Sequence, residues 1–440
     1  MLIALDKLAI HKVSWLNKLL MFLGGLFKVS PLMLILTIGC TTAMNSPTQA
    51  NAGEHFEIVH ETVLPSNWAF DFSINDAATG SGYIITGAIS GHQAWARRVD
   101  PKGNEIWSYA IPKDVPEQYQ DVPVSWRSSQ YKSAVTLKNG NTLLCGHKDM
   151  LNHREARDGT IMGLLTRIDA KGQFVDQRLL SPHGDSKYSL NYIVQCGSWG
   201  DGYFVAGSSS RYTQNLPGKS PSFVGEKFFW LMALDANGEI KWEKLISRGF
   251  SASPAVKLPW QVMLNGDLVF SGSAPSIREK DSLVPVTSIL RIGLDGEVKA
   301  QRTITGGMML VRQPRPAQAI RLIPFNLNDV GMFLLTLNDD LSDASRLTSD
   351  KKDEFAIQQA IEMPDHSILL AGGRDYRNTY ATLIHYSPDL RQSNDFVFKP
   401  KGASYWLDDA MIIGMSNEFV AIRSLKPELH KYAFSIIEIK

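Results

Sequence analysis

The chain has 440 residues, 20 % of them charged, with 45 Lys and Arg against 44 Asp and Glu and a formal net charge of +1. So even a balance leaves no basic footprint for nucleic acid or for an anionic membrane surface. A hydrophobic content of 44 % is ordinary for a globular chain and too low for a protein that crosses a membrane many times.

The N-terminal segment differs from the rest. Lys12, Lys18 and Lys28 flank apolar stretches, and residues 31–39 (Pro-Leu-Met-Leu-Ile-Leu-Thr-Ile-Gly) form a charge-free run ending at Cys40. A basic region, an apolar run too short to span a bilayer, and a small residue at its end predict a secretory signal over 1–39. The alternative is an uncleaved anchor helix over 19–39, which Lys28 and Pro31 would interrupt. Met21 is an alternative start. Residues 37–40 (Thr-Ile-Gly-Cys) resemble the lipobox of bacterial lipoproteins, with Thr37 where Leu is more usual. That resemblance implies cleavage before Cys40 and lipidation of its sulfur. With Thr41 rather than Asp next, it also implies an outer-membrane anchor facing the periplasm. Residues 40–54 are small and polar and predict a flexible tether.

From 55 to 440 two phrases recur. One is a strand, a tight turn and a strand: Arg-Val-Asp-Pro-Lys-Gly-Asn-Glu-Ile-Trp (98–107), Arg-Ile-Asp-Ala-Lys-Gly-Gln-Phe-Val (167–175), Ala-Leu-Asp-Ala-Asn-Gly-Glu-Ile-Lys-Trp (233–242), Arg-Ile-Gly-Leu-Asp-Gly-Glu-Val-Lys (291–299) and a degenerate His-Tyr-Ser-Pro-Asp-Leu-Arg-Gln (385–392). The other is apolar and ends in a small residue and Gly, at 82–87, 142–146, 202–207, 267–272 and 367–372. Four short strands per unit, repeated along the chain, predict an all-β fold, a β-propeller of about seven four-stranded blades. Six or eight blades stay open as alternatives.

In chain order, blade 1 is expected at Trp68–Ile74, Tyr83–Ala88, Ala94–Val99 and Glu105–Ile111, and blade 2 at Tyr131–Leu137, Thr142–His147, Gly163–Ile168 and Phe174–Leu180. Blade 3 takes Tyr192–Cys196, Tyr203–Ser208, Phe229–Leu234 and Ile240–Ile246, and blade 4 takes Gln261–Leu264, Leu268–Ser273, Ser288–Ile292 and Val298–Ile304. Blade 5 has only Ala319–Phe325 and Met332–Leu337, read as its first two strands, because 338–352 is polar. Blade 6 takes Phe355–Ile361, Ile368–Gly372, Ala381–Tyr386 and Phe396–Lys399. Blade 7 has Trp406–Ile413, Glu418–Arg423 and Tyr432–Ile439, one strand short. Phe56–Leu64 precedes blade 1 and is expected to supply the missing strand, closing the ring and covering an open edge.

The first-to-second and third-to-fourth strand turns are short, whereas 112–130, 148–161, 209–227, 274–287 and 305–317 are long. Long connections therefore gather on one face, which is the candidate binding face. It is expected to carry Trp126, Arg127, His147, His153, Arg211 and Tyr212. Arg278, Arg312, Arg374, Tyr376, Arg377 and Trp406 are expected there too. Arg, Tyr and Trp combine apolar area with directed hydrogen bonds and anchor many protein interfaces.

Catalytic and cofactor signals are missing from the sequence. Residues 215–220 end like a phosphate-binding loop, but Thr213 stands where its first Gly belongs and Pro221 follows. No Gly-x-Ser-x-Gly elbow occurs. His147, Asp149 and His153 share one connection without the spacing of a metal site, and the turn Asp residues lack the alternating oxygens of a calcium loop. No catalytic residue, cofactor or metal is assigned. Besides Cys40 only Cys145 and Cys196 occur; Cys145 takes the small-residue slot held elsewhere by Thr86, Ala206, Ser271 and Ala371. A buried core thiol and a Cys145–Cys196 bridge between blades are the two readings.

The phrase Gly-Tyr-(apolar)-Gly … Leu-Asp-x-x-Gly-x-(Ile/Val)-x-Trp is similar to the bacterial quinoprotein-like or WD-like propellers of secreted lipoproteins. The resemblance implies the fold and leaves function to the sites grafted on it. The expectation is a monomeric, non-catalytic, membrane-tethered periplasmic propeller that binds a protein partner, as an envelope scaffold or a toxin inhibitor. The alternative is a carbohydrate-binding or carbohydrate-processing propeller, which needs convergent carboxylates among Asp149, Asp158, Asp375, Asp408 and Asp409.

Overall fold

The computed structural model describes residues 56–63, 70–76, 82–89, 93–112, 129–150, 160–184, 188–211, 226–247, 250, 252, 258–279, 282–313, 316–327, 331–349, 355–373, 381–398, 410–415, 419–426 and 431–439. The expected signal, the tether and Cys40 lie outside them. Helix is almost absent among the described residues, and no helix there is long and apolar enough to cross a membrane.

The strands fall into antiparallel meanders. Unit I holds β2 (Phe70–Asp76), β3 (Tyr83–Ile89), β4 (Gln93–Val99) and β5 (Glu105–Ala110). Unit II holds β6 (Ser129–Thr136), β7 (Thr142–Met150), β8 (Thr160–Ile168) and β9 (Phe174–Leu180). In unit III come β10 (Tyr188–Trp199), β11 (Gly202–Arg211), β12 (Glu226–Leu234) and β13 (Ile240–Ser247). Unit IV is β14 (Trp260–Val262), β15 (Leu268–Glu279), β16 (Ser282–Ile292) and β17 (Val298–Thr305). Unit V is β18 (Met308–Leu310), β19 (Ile320–Pro324), β20 (Phe333–Leu337) and β21 (Asp343–Thr348). Unit VI is β22 (Ala356–Glu362), β23 (Ile368–Gly373), β24 (Ala381–Tyr386) and β25 (Ser393–Phe398). In unit VII, β26 (Ala410–Met415), β27 (Phe419–Lys426) and β28 (Lys431–Ile439) are joined by β1 (Phe56–Val63), which pairs with β28 from Phe56↔Ile439 to Val63↔Ala433. Units II and III are joined into one eight-stranded sheet by a parallel bridge, Leu190↔Ile161.

The core lies between units, in clusters shared by consecutive sheets. Tyr203, Val205, Trp230 and Met232 face unit II, with Leu143, Cys145 and Leu165. Their neighbours Phe204, Ala206, Phe229 and Leu231 face unit IV, with Leu268, Phe270 and Leu290. Successive strand side chains point to opposite faces, and here both faces are buried. This is why the central strands read as unbroken apolar runs rather than as alternations.

The repeated Asp-x-x-Gly phrase builds a three-residue hairpin loop. Asp100 N donates to Asn104 O at 2.9 Å and Gly103 N donates back to Asp100 O at 2.9 Å, with Gly103 at φ 83°. The same pair of bonds recurs at Asp169/Gly172, Asp235/Gly238 and Gly293/Gly296. A type I turn followed by a left-handed residue requires that φ, hence Gly. The Asp carboxylates accept from the turn: Asp235 Oδ1 takes Asn237 N at 2.8 Å and Glu239 N at 2.9 Å. Hydrogen bonds from Asn104 hold Asp100, and one from Glu239 N holds Asp235, below the usual carboxylate range.

Unit V corrects the sequence reading. Ala319–Phe325 and Met332–Leu337 were expected as its first two strands; they hold the second and third, β19 and β20, while Met308–Leu310 is the first. The polar stretch supplies the fourth, β21, exposed along its whole length. Its turn has no Gly: Asn338 N donates to Ser342 O and Leu341 N to Asn338 O, both at 2.9 Å, with Leu341 at φ 68°. Leu390, φ 58°, does the same in unit VI. A left-handed non-Gly residue costs about 1–2 kcal/mol, but Leu341 is 1 % and Leu390 0 % exposed. Burying a Leu side chain contributes about 1.5–3 kcal/mol, so burial wins.

The Gly that ends the apolar phrase has a different cause. A Cβ on Gly146 would lie 1.8 Å from Gln130 O, on Gly207 1.9 Å from Tyr192 O, and on Gly372 2.0 Å from Ala356 O. Each first strand thus crosses its second strand too closely for a side chain. Bulges follow at Tyr131/Ser133, Ile193/Gln195 and Ile357/Gln359.

Units I to IV each also grip the turn of the next. Trp107 Cβ of unit I sits 2.4 Å from where a Gly172 side chain would begin, and the Trp242 ring of unit III 2.9 Å from the equivalent point on Gly296. Arg167 and Arg178 of unit II bond Asn237 O at 3.1 Å and Gly238 O at 2.6 Å, and both reach Glu239. Arg291 of unit IV pairs with its own Asp267 at 2.6 Å and bonds Asp339 O in unit V, while Arg302 bonds Leu341 O at 2.6 Å. Leu341→Gly is expected to lower stability by about 1–3 kcal/mol although it relieves the backbone, because the lost burial exceeds the relief; a rise in the urea unfolding midpoint contradicts this account.

Candidate binding face

The long connections between second and third strands are in part strand. β7 and β8 stay paired to Met150↔Thr160, β11 and β12 to Arg211↔Glu226, and β15 and β16 to Glu279↔Ser282. The stretches 148–161, 209–227 and 274–287, expected as loops, therefore begin or consist of paired arms that project from the end opposite the short turns. Pro275 and Pro285 hide the third arm in the sequence, and a register shift between Ala274 and Ile277 absorbs Pro275.

Arg211 and Arg278 sit on these arms, and His147 lies at the base of the first. Arg211 is exposed at the end of β11, and Arg278 lies opposite Leu283. His147 is buried, opposite Gly163, with its ring edge-on to Tyr192 at 5.0 Å. Trp126, Arg127, His153, Tyr212, Arg374, Tyr376, Arg377 and Trp406 lie outside the described residues.

Arg312 is a correction. The short β18 ends at Leu310, so residues 311–319 join the first strand of unit V to its second, on the short-turn side. Arg312 N donates to Ala360 O at 2.9 Å and Glu362 N donates to Arg312 O at 2.7 Å, a parallel bridge to the first strand of unit VI. Ala317 makes the matching contact with unit IV, donating to Val262 O at 2.8 Å and accepting from Leu264 N at 2.9 Å. Arg312 and Ala317 thus strap the free edges of β22 and β14. The strand boundary misread in unit V is what moved Arg312 to the wrong face.

At the seam of units II and III the arms bring together a polar group. Asn191 donates from Nδ2 to Ile161 O at 3.0 Å, and its Oδ1 accepts from Ser209 Oγ at 2.7 Å. Tyr192 follows, against His147. Burial, with the Asp149 charge adding to it, pushes the Tyr192 phenol up to about 12. The seam thus holds an imidazole, a carboxylate and a phenol that stays neutral at physiological pH. These groups donate and accept hydrogen bonds, and suit recognition of polar groups. Asn191, Tyr192 and Ser209 were not singled out from sequence, since each reads as an ordinary strand residue. Of the five carboxylates on which a carbohydrate-processing site was to rest, Asp149 alone falls among the described residues. Those residues hold no cluster of three or more His, Cys, Asp or Glu able to bind a metal ion.

No protein-family model matches the chain, and no curated protein does. Solved structures do. The Dos1 propeller is similar at 11 % identity and TM-score 0.41, over 83 % of this chain and 77 % of that one. The β-propeller domain of the trilobed protease from Pyrococcus furiosus is similar at 10 % identity and TM-score 0.43, over 84 % and 95 %. Puromycin hydrolase is similar at 15 % identity and TM-score 0.49, over 85 % of this chain and 52 % of its own.

The raised Tyr192 value has a testable consequence. A group with its folded pKa raised above the ordinary 10 contributes stability that is complete below pH 10 and lost as pH rises toward 12. The difference in melting temperature between the native chain and Tyr192→Phe should therefore change between pH 9 and about pH 12; a pH-independent difference rules the environment out.

Proposed function

We propose that the chain is a tethered envelope protein. In this reading its strand domain is a seven-bladed propeller with β1 in the last blade, and it binds a protein partner through the face that carries the paired arms. The observation that carries the partner reading is the unequal use of the two ends. On the short-turn side Arg167, Arg178, Arg291 and Arg302 are held by neighbouring turns, and the strap 312–317 is bonded to units IV and VI. On the opposite side the arms run past the body and end in polar and charged residues such as Arg211 and Glu226. The ring reading is supported by the four-strand units, by the β1–β28 pairing and by the proximity of β26 to β2. The tether rests on the lipobox-like 37–40 sequence.

Three experiments test this. A photo-crosslinker at Arg211 in cells is expected to capture a discrete envelope protein, and one at Asp295 on the short-turn side is expected not to. Capture from both positions or from neither removes the face assignment. In the same cells Cys40→Ser should move the protein from the membrane to the soluble fraction; unchanged lipid labelling sinks the tether. Separately, deleting Phe56–Val63 should lower the melting temperature of the whole domain by roughly 5 °C or more, since it exposes the β28 edge, and an unchanged melting curve excludes closure by β1.

A further inference from the structure

We infer that Cys145 and Cys196 are a disulfide-forming pair that staples unit II to unit III. Cys145 lies on β7 opposite Ser133, and Cys196 on β10 opposite Val205. The Ser133 hydroxyl donates to Cys196 O at 3.3 Å, so β10 passes against the strand that flanks Cys145. The two thiols are free and buried in one apolar cluster, where β10 packs against β6 and β7. The slots they fill are small-residue slots in other units: Ala206 and Ala371 correspond to Cys145, and Ala134 and Ala360 to Cys196. Cysteine thus occupies two separate repeat positions at one seam, on strands packed against each other in the same cluster.

The chemistry sets when the bond forms. Burial pushes the Cys145 thiol well up, so the reactive thiolate is scarce once the seam has closed. The bond is made while the units are still docking. One thiolate attacks a small-molecule disulfide and releases one thiol; the second thiolate then displaces the other thiol from the mixed disulfide. Two protein thiols become one S–S bond, and the two electrons and two protons reduce the oxidant to two thiols. Once buried, the bond is shielded from reductants, which makes it a staple rather than a switch. The compartment decides whether the oxidant is present, and the pairing does not depend on the lipid tether.

The test uses the full-length chain, reduced and unfolded, then refolded with oxidised or reduced glutathione, alkylated, and digested without reduction. The expected product in oxidised glutathione is a linked peptide pair carrying Cys145 and Cys196, in a protein that melts about 2–6 °C higher than its reduced form. Cys145→Ser and Cys196→Ser should each abolish that difference. Alkylation of both thiols after oxidative refolding, linkage of either to Cys40, or an oxidised form that melts no higher than the reduced one each overturns the inference. The peptide map needs no variant, so it decides the question even where a substitution prevents folding.

Discussion

A four-stranded meander with two apolar faces cannot fold alone, because either face left in water forfeits the burial that offsets chain ordering. Everything else in this domain depends on the face-to-face seam between consecutive sheets. At the II–III seam Trp230, Tyr203 and Val205 meet Leu143, Cys145 and Leu165; at the III–IV seam Phe204, Phe229 and Phe270 pack edge to face, with centroids 5.1 and 5.5 Å apart for the two pairs with Phe270. Aromatic pairs in this geometry contribute about 0.5–1.5 kcal/mol beyond their buried area. Exposed pairs such as Lys299–Asp295 contribute far less, because water screens them. The seams are built by packing, and the charged latches mainly fix which turn sits against which neighbouring strand.

That division explains what the sequence made legible. Turns were readable wherever backbone geometry demanded Gly, as at Gly103, Gly172, Gly238 and Gly296. They were hidden where a buried side chain could bear the left-handed conformation instead, as at Leu341 and Leu390. Strand β21 was hidden for a related reason. An outermost strand needs apolar residues only on a face that something covers, and every residue of β21 is exposed. Missing that strand shifted the whole of unit V by one position, and Arg312 with it. The Gly after the small residue was legible as a repeat, but its cause at Gly146, Gly207 and Gly372, a carbonyl of the preceding strand within 2.0 Å of the missing Cβ, becomes visible only in the packed sheet.

The two ends of the sheets then differ by construction. A turn that must receive a Trp or an Arg from the neighbouring unit has little freedom to vary, and the Asp and Gly that dominate the repeat are committed to that task. The strap over β14 and β22 adds to it, bonding the backbone of Arg312 and Ala317 to two other units. The opposite end carries no equivalent repeat, so its arms are free to differ in length and composition. For the same reason sequence could locate that face as a set of unequal connections but could not say which of its residues meet. Asn191, Tyr192 and Ser209 come together with His147 only because β10 crosses close to the start of β8.

The II–III seam unites these features. It is closed at the turn end by Arg167 and Arg178 on Glu239, in the middle by the Ser133–Gln195 hydrogen bond at 3.0 Å, and at the arm end by Asn191 on Ile161 and the Leu190↔Ile161 bridge. A seam pinned at three heights has little freedom to open or slide. The imidazole, carboxylate and neutral phenol at its arm end are consequently held in place by the fold itself. Preorganised groups lose little conformational freedom on association, so a small polar cluster at this seam can contribute more to recognition than the same residues on a free loop.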